Sequence, residues 1–243
     1  MPFDLASVRA RLPERQIDWF GSVNSTMTLA ATLARDGCPA GTIVGADGQV
    51  AGIGRHGHTW HSEAEAGLYV SIVLRLPNTL PVVMLALGLA TQEAITQVAG
   101  LAADLRWPND VLIDGRKCAG ILAQLEGAAI IAGIGINVNQ TEFPRDLDAA
   151  ATSLFLAGKR VSREDLLVAL VHAVDTCCQQ HPRTILNMFT QASSYADSRR
   201  VRVEKDGAMI EGVTCGLDPS GFLVVREDNG RETTILAGGV RPV

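Results

Sequence analysis

The sequence predicts an α+β protein: a mixed or antiparallel sheet with flanking helices, followed by a small C-terminal β-barrel. Helical and strand patterns alternate from residue 24 to about residue 198. From Arg199 onward only short alternating segments remain, separated by Asp-Gly, Pro-Ser-Gly and Asn-Gly turns, as is typical of a small all-β module. The 243 residues allow one large and one small domain, with a core that needs no disulfide or structural metal. We therefore expect one domain at residues 1–198 and a β-barrel domain at residues 199–243.

Caps and breakers delimit the elements of the first half. Asn24, Ser25 and Thr26 are helix-cap residues, and apolar residues follow them at helical spacing until Gly37 ends the helix. Pro81 is typical of a first helical position. The other elements predicted here are a short buried strand at 42–44, a glycine-rich loop at 45–57, a strand at 68–76 and a helix at 81–98.

The second half begins with a hairpin. The turn pair Asp114-Gly115 separates the runs VLI and KCAGILAQLE, which is a strong hairpin signal. The run AIIAGIGINV at 129–138 predicts a central strand buried on both faces. A capping-box-like start at Ser162 predicts a helix through about Cys178, and a shorter helix follows the His181-Pro182 break.

Composition excludes several classes of protein. Hydrophobic residues make up 47% and charged residues 19%, which excludes a long disordered chain. The net charge of −5 argues against nucleic acid or an anionic membrane as the main partner. Five cysteines, two of them adjacent and none in a C-x-x-C pair, indicate a reducing compartment. Because polar residues interrupt the most apolar stretch and no signal peptide is found, we expect a soluble, cytoplasmic protein.

The run GADGQVAGIGRHGHTW contains Gly52-x-Gly54-x-x-Gly57, which is formally a dinucleotide fingerprint. That fingerprint requires a helix directly after the loop, whereas this loop leads into a strand, so a Rossmann site is excluded. Glycines still allow backbone N–H groups to converge on an anion, and Arg55 would add a fixed cation. The run is therefore either a phosphate-binding loop or an ordinary flexible surface loop.

The segment RWPND places an aromatic ring, an amide and a carboxylate side by side, at Trp107, Asn109 and Asp110. Eight residues after Asn109, Lys117 begins the returning strand of the hairpin. A lysine at this position either neutralises a phosphoryl group in a site or is a solvated turn residue.

Two further groups of polar residues each have two interpretations. His56, His58 and His61 lie in the glycine loop, but no cysteine accompanies them, so we favour histidines near phosphates over a metal site. Asn137 and Asn139 end an apolar strand, where they would bind a base or ribose or cap the strand.

Five stretches, in this order, resemble the biotin–protein ligase family, whose members biotinylate carrier domains. They are Ser25-Thr26, Gln49 with GIGRHG and Trp60, LYVSIVLR, RWPND with Lys117 and GIL, and GIGINVN. The β module with its closing AGGV also fits, so the resemblance covers about residue 20 to the end. It implies a catalytic fold similar to class II synthetases. Each motif alone is weak, whereas the ordered set is specific.

The resemblance implies a two-step ligase. ATP and biotin, with Mg²⁺, would give biotinyl-AMP and pyrophosphate, and a lysine of a biotin carboxyl carrier protein of acetyl-CoA carboxylase would then take the biotin and release AMP. Two alternatives are a lipoate or octanoyl transferase of the same superfamily and a catalytically weak biotin-binding regulatory protein.

Family positions also imply the site residues. Biotin would contact Ser25, Thr26, Gln49, Gly52, Gly54 and Lys117. ATP would contact Arg55, Trp60, Asn109 and Asn137. Lys117 and Arg55 would be the catalytic residues, and Asp110 would hold Mg²⁺ through the phosphates.

Four positions depart from the family pattern. Ile53 stands where the family usually has its first loop arginine, and Met27 replaces a common asparagine. Gln124 and Gly239 stand where acidic residues are common. Ile53 removes one phosphate contact, so we expect a lower rate or weaker retention of the adenylate.

The partners expected are a small-molecule pair and a carrier protein, with no nucleic acid and no membrane. Only about 20 residues precede the Ser-Thr pair, so we expect a monofunctional ligase without a DNA-binding domain. We expect a monomer or a weak homodimer, in which β edges around residues 129–138 would pair between two copies.

Overall fold

The structure is a computed structural model and describes residues 2–144, 147, 150–205 and 208–243. Within these residues the helices are α1 (Leu5–Arg11), α2 (Thr26–Arg35), α3 (Leu80–Ala99), α4 (Arg163–Cys178) and α5 (Pro182–Ala192). The strands of the first sheet are β1 (Ile17–Val23), β2 (Ile43–Gln49), β3 (Gly67–Leu74), β4 (Asp104–Arg106), β5 (Asp110–Ile113), β6 (Arg116–Glu126) and β7 (Ala129–Asn137). Those of the second are β8 (Asp197–Lys205), β9 (Ala208–Leu217), β10 (Leu223–Glu227), β11 (Glu232–Ile235) and β12 (Val240–Pro242). The predicted α+β class is confirmed.

A seven-stranded mixed sheet forms the centre of the fold, in the order β1-β2-β3-β7-β6-β5-β4. Strands β1 and β2 run parallel, and every other neighbouring pair is antiparallel. Every residue of β3 is buried, because this strand lies inside the sheet and is covered on both faces. The hairpin predicted at Asp114-Gly115 is confirmed, with the non-glycine Asp114 at φ 49° and Gly115 at φ 72°.

Strand β7 has no free edge. It is hydrogen-bonded along its length to β3 on one side and β6 on the other, which confirms the predicted central strand. The expectation that residues 129–138 pair between two copies is therefore wrong, because both rows of backbone groups are already used. The edges of this sheet are β1 and β4.

Helix α3 forms the helical core behind the sheet. Pro81 lies in its first turn and Gly100 ends it in the left-handed conformation at φ 64°, so its predicted limits are confirmed. Among the described residues it is the one helix long and apolar enough to cross a membrane, yet 67% of that window is buried inside the fold. Its burial comes from packing against α4, α5 and the sheet.

The second sheet contains five antiparallel strands in the order β11-β10-β9-β8-β12. Strands β11 and β12 stand at opposite edges and do not pair, so the predicted barrel is wrong: the module is an open sheet. The two edge strands have only four and three residues, and each pairs with a single neighbour. The division of the chain at residue 198 stays a prediction.

The sequence analysis missed two elements near the N-terminus. Helix α1 has only seven residues and is capped by the Asp4 carboxylate, which accepts a hydrogen bond from Ser7 N. Strand β1 is an edge strand with three exposed residues in a row, so it lacks the alternation that would mark it as half-buried. Both are held by tertiary contacts: α1 packs on α4, and β1 pairs with β2.

A buried ion pair ties this N-terminal region to the rest of the molecule. Arg163, the first residue of α4, is 4% exposed, and its guanidinium donates to Oδ1 of Asp47 on β2 at 2.8 Å. The same guanidinium lies 5.6 Å from the ring of Phe3, which stacks on Trp19 with ring centroids 3.5 Å apart. Three segments distant in sequence are thus joined around one buried charge.

Candidate active site

Two adjoining cavities lie where the glycine loop meets the sheet. The inner pocket is bounded by α2, the glycine loop and strands β2, β3, β6 and β7, and its wall includes Thr26, Gln49, Ile53, Trp60 and Gly135. The outer cavity measures about 810 Å³, a volume typical of ligand sites. Its wall includes His58, Asp110, Asn137 and Gly238. Lys117, Arg55 and Asn109 line both cavities and mark the point where the two meet.

A chain of hydrogen bonds forms the polar side of the inner pocket. Thr26 donates to Oε1 of Gln49 twice, from its backbone N at 2.9 Å and from its hydroxyl at 3.1 Å. Gln49 Nε2 donates to the Ser62 hydroxyl at 2.9 Å, and the Ser71 hydroxyl donates to Oγ1 of Thr26 at 2.9 Å. Gln49, from strand β2, therefore caps the first free N–H of helix α2.

Ser25 lies at the start of the same helix with an unused hydroxyl. Its side chain makes no capping hydrogen bond, although serine is a favoured cap residue. The residue is 2% exposed, and its Oγ has no hydrogen-bond partner within the described residues. Since a buried hydroxyl without a partner costs free energy, this group is available to a ligand.

Trp60 lies over two glycines of the sheet. A Cβ atom added at Gly135 would lie 2.5 Å from Cε2 of the indole, and one added at Gly120 would lie 2.8 Å from Cζ3. The Lys117 ammonium is 5.4 Å from the Trp60 ring centroid, within cation–π range. The indole N–H is buried and has no acceptor in the part of the chain that is described. Glycines at these positions let the ring approach the backbone of β6 and β7.

Lys117 is part of a group of three charges. Its Nζ lies 2.6 Å from Oδ1 of Asp110, as an ion pair rather than an aligned hydrogen bond. The other oxygen, Oδ2, accepts from Arg106 Nη2 at 2.7 Å. Both residues belong to the hairpin of β5 and β6, in which Asp110 lies opposite Gly120 and Lys117 lies opposite Leu112. The carboxylate is thus shared between two cations, and the lysine points to the cavities.

Arg55 connects the glycine loop to two other parts of the molecule. Its Nη1 donates to Oδ1 of Asn109 at 3.0 Å and to the carbonyl of Gly238, in the second sheet's closing segment, at 3.3 Å. Burial lowers the pKa of Arg55 and the nearby Asp110 carboxylate opposes that shift, and an arginine remains charged at neutral pH. The predicted cation therefore lies where the loop, the RWPND turn and the AGGV segment meet.

Most of the residues proposed from sequence come together at this place. The inner pocket is lined by Thr26, Gln49, Gly54, Arg55, Trp60, Asn109 and Lys117. Asp110 and Asn137 line only the outer cavity, and neither Ser25 nor Gly52 is part of either wall. Their roles toward biotin, ATP and Mg²⁺ stay predictions. Ile53 lines the inner pocket and is 39% exposed, so the position of the missing arginine faces the site.

Asn137 has a structural partner of its own. Its Nδ2 donates to the carbonyl of Thr152 at 3.0 Å, and the backbone of Lys117 pairs with the same segment at Ala150 and Thr152. The Asn137 amide thereby holds this segment beside Lys117. This contact is the structural role predicted as a strand cap.

Three contributing side chains were not found from the sequence. Ser62 and Ser71 complete the hydrogen-bond chain on Gln49 and Thr26. Tyr69 lines the inner pocket, donates to the carbonyl of Glu63 at 3.0 Å and accepts from Gln140 at 3.1 Å. Burial raises the pKa of Tyr69 strongly, with the Glu63 charge adding to it, so its hydroxyl stays protonated. For Ser71 the sequence offered one signal, a single polar residue within the apolar run LYVSIVL.

Two of the three loop histidines have described side chains. His58 and His61 line the outer cavity, where phosphates would lie. Among the described residues no group of three His, Cys, Asp or Glu side chains could hold a metal ion. The side chain of His56 lies outside the described part of the structure.

Comparison with known proteins agrees with this geometry. Residues 19–140 match the biotin/lipoate A/B protein ligase family, and residues 199–240 match the biotin protein ligase C-terminal domain. The chain is 31% identical to the biotin–[acetyl-CoA-carboxylase] ligase of Mycobacterium tuberculosis, over 98% of this chain and 95% of that protein. It is 32% identical to the bifunctional ligase/repressor BirA of Bacillus subtilis, over 86% of this chain and 68% of that protein.

A solved structure shows the same fold. The biotin protein ligase from Aquifex aeolicus in complex with biotin and ATP superposes with a TM-score of 0.82 at 29% identity, over 93% of this chain and 97% of that one. The resemblance seen in the sequence motifs is thus confirmed across both sheets. From the family matches, the relatives and the shared fold, the chain belongs to the biotin protein ligase family.

Proposed function

We propose that the chain is an ATP-dependent ligase that forms biotinyl-AMP and transfers the biotin to a lysine of a biotin carboxyl carrier protein. One observation carries the proposal: a pocket with hydrogen-bonding groups and a large cavity with cations meet at Lys117 and Arg55. That junction is where a carboxylate and an α-phosphate have to be brought together. The solved relative with biotin and ATP bound supports both substrates.

The inner pocket matches the head group of biotin. A ureido ring offers one carbonyl acceptor and two N–H donors. The pocket wall offers the second N–H of Gln49 and the indole N–H of Trp60, and the unpartnered Ser25 hydroxyl lies next in the chain to Thr26 of that wall. The apolar side of the pocket, which includes Met27, Leu122 and Ile134, suits the sulfur-containing ring. The dithiolane ring of lipoate has no hydrogen-bonding groups and would leave these buried polar groups without partners, which disfavours it.

The first step joins the two substrates. A carboxylate oxygen of biotin attacks the α-phosphorus of ATP, a new O–P bond forms, and the bond to the β-phosphate breaks to release pyrophosphate. Negative charge accumulates on the transferring phosphoryl group. Lys117 and Arg55 are fixed in advance at the junction by Asp110 and Asn109, so their charges stabilise the transition state without reorganisation.

The second step moves the biotin to the carrier protein. A neutral lysine amine attacks the acyl carbon of the adenylate, the new C–N bond forms, the C–O bond to phosphate breaks, and AMP leaves with release of one proton. The anhydride must be kept from water until the amine arrives. The glycine loop lies over the junction of the two cavities and is positioned to shield it.

The assignment of Mg²⁺ to Asp110 does not fit this geometry. Both oxygens of that carboxylate are engaged, one by Arg106 and one by Lys117. A divalent cation at Asp110 would have to compete with the two positive charges that already pair with this carboxylate. We assign no protein-held magnesium site, and the chemistry proposed here rests on the chain's own side chains.

A reconstituted assay tests the proposal. The protein is incubated with labelled biotin and ATP, with and without a biotin carboxyl carrier domain, and adenylate and biotinylated carrier are separated and counted. We expect adenylate without carrier, transfer with carrier, and neither product when lipoate replaces biotin. Products with lipoate would favour the transferase alternative, and biotin binding without adenylate would favour the regulatory one. The five cysteines, all free, suit the reducing cytoplasm in which we propose the enzyme acts.

A further inference from the structure

The direction of the hydrogen-bond chain at the inner pocket can be assigned from donors alone. Thr26 N can only donate, so the Gln49 atom facing it must be the carbonyl oxygen, and the Thr26 hydroxyl must also donate to that oxygen. The single hydroxyl hydrogen of Thr26 is then used. Ser71 therefore donates to Thr26, and the donor and acceptor of every hydrogen bond at this end of the hydrogen-bond chain are fixed.

The other end of the chain is Ser62. Since Oε1 of Gln49 faces helix α2, Nε2 must donate to Ser62, and the Ser62 hydroxyl is free to donate onward to the carbonyl of Trp60 at 3.2 Å. Ser62 thus prevents the Gln49 amide from rotating about its last side-chain bond. One amide hydrogen of Gln49 remains without a partner among the described residues and is available to a ligand.

The backbone of the glycine loop covers this contact. A Cβ atom added at Gly52 would lie 2.9 Å from Oγ of Ser62, 3.1 Å from Nε2 of Gln49 and 2.5 Å from the carbonyl of Trp60. Trp60 N donates to the Gly52 carbonyl at 2.9 Å, which closes the loop directly above the bond. The Gln49–Ser62 hydrogen bond is therefore shielded, and its strength depends on the loop being in place.

We propose that Ser62 is a positioning residue for biotin: it fixes the amide plane of Gln49 and joins that amide to the exit of the glycine loop at Trp60. The inference rests on the proposed function and adds a residue that need not touch either substrate. Loss of Ser62 leaves Gln49 pinned only at its oxygen, so the amide must be ordered each time biotin binds.

The test uses two substitutions and a control in the full chain. Ser62→Ala removes the acceptor, and Ser62→Cys replaces it by a weaker one. The control is Ser220→Ala, at an exposed serine of the second sheet's turn. Biotin KM and kcat are measured by pyrophosphate release at saturating ATP, and each variant is also melted.

We expect S62A to raise the KM for biotin about fivefold to tenfold, as the loss of one hydrogen bond predicts, with kcat changed by less than about twofold. S62C should fall between the wild type and S62A, and S220A should equal the wild type, with all melting temperatures close together. An unchanged KM in S62A, or a parallel fall in kcat and melting temperature, would overturn the proposal. Absence of biotin-dependent pyrophosphate release in the wild type would instead refute the proposed function.

Discussion

Lys117 holds its position at the junction because Asp110 pairs with it, yet it is the only one of the three charged partners that lines both cavities. Substrate phosphate would compete with Asp110 for the ammonium, whereas Arg106 would keep the carboxylate neutralised. The group of three charges therefore lets the lysine change partner without leaving the partly buried Asp110 carboxylate unpaired.

Replacement of Lys117 by alanine tests this role. We expect K117A to lower the rate of biotin-dependent pyrophosphate release about 100-fold or more, because the charge developing on the phosphoryl group loses a fixed cation. The matched control is Lys159→Ala, at an exposed lysine. A pyrophosphate release rate in K117A near that of the wild type would contradict the assignment.

Sequence reasoning located the charged and conformationally unusual residues of the site but not their partners. Lys117 and Arg55 were found from their residue type and position, and Gln49 from its place in the family's motif; all three line the inner pocket. Ser62 and Ser71 were missed because a serine acquires its role only when strand pairing and a loop bring a partner within 3 Å. The two bonds on Gln49 connect residues 23 and 13 positions away from it.

At the scale of elements, the glycine loop is a small hairpin rather than an open turn. Gly54 N donates to the carbonyl of His58 at 2.7 Å, and Ile53 bridges Thr59 in antiparallel fashion. The side chain of Ile53 is 39% exposed and faces the inner pocket, so it can be replaced without disturbing the hairpin ladder.

Ile53→Arg should restore the contact that the family pattern predicts. One charge-assisted hydrogen bond to the adenylate phosphate is worth about 1.5 kcal/mol or more, so we expect release of preformed biotinyl-AMP to slow about tenfold. Release is followed by a chase with unlabelled biotin and ATP, with Ile53→Leu as the apolar control. Equal release rates for the arginine and leucine variants would show that residue 53 does not reach the phosphate.

Elements with a regular pattern were predicted best. Helices α3 and α4 and strand β7 were expected within one or two residues of their observed limits, because proline, glycine and cap residues mark their ends. Helix α1 and strand β1 were missed because contacts distant in sequence stabilise them. The second sheet was predicted to be a barrel because the sequence shows alternating apolar and polar residues but does not show whether the two edge strands pair.

At the scale of the whole molecule, the pair Asp47–Arg163 joins β2, α4 and the N-terminal segment around a charge that is 4% exposed. Two residues after Asp47, the same strand carries Gln49 into the inner pocket. The pair therefore anchors the strand that positions the proposed biotin contact.

Asp47→Ala should destabilise the protein by about 3 kcal/mol, because it removes the carboxylate that pairs at 2.8 Å with the buried Arg163 guanidinium. Urea unfolding followed by circular dichroism measures the change. Asp228→Ala is the control, since it breaks an exposed pair with Arg200 at the same 2.8 Å distance, and we expect little change there. Similar losses in the two variants would mean that burial of the Asp47 pair does not matter.

Thiol reactivity reports on the packing of the core, where one buried cysteine lies on β6 and two lie on α4. Burial raises the pKa of Cys118 and Cys178 to about 12 and that of Cys177 to about 11, from an ordinary 9.0. These thiols stay protonated in the folded state while the unfolded chain ionises near pH 9, so they favour folding below that pH and the benefit is lost as pH rises above it.

In a disulfide reagent at pH 8 we expect the half-buried Cys38 and Cys215 to react quickly and the three buried thiols slowly, with all five reacting in denaturant. Serine at both half-buried positions provides the control, and it should abolish the fast phase. A fast phase that persists in that double variant would show that the core around at least one buried thiol opens.

The glycine pair beneath Trp60 has a consequence for how this sequence can vary. Every amino acid other than glycine carries a Cβ, and that atom at Gly120 or Gly135 would meet the indole ring at 2.8 or 2.5 Å. Every substitution at position 120 or 135 therefore creates a steric clash while Trp60 stays in place. In a saturation library selected for biotinylation, both positions should be depleted as strongly as Lys117, although neither bears a functional group. Substitutions that survive there should be accompanied by a smaller residue at position 60.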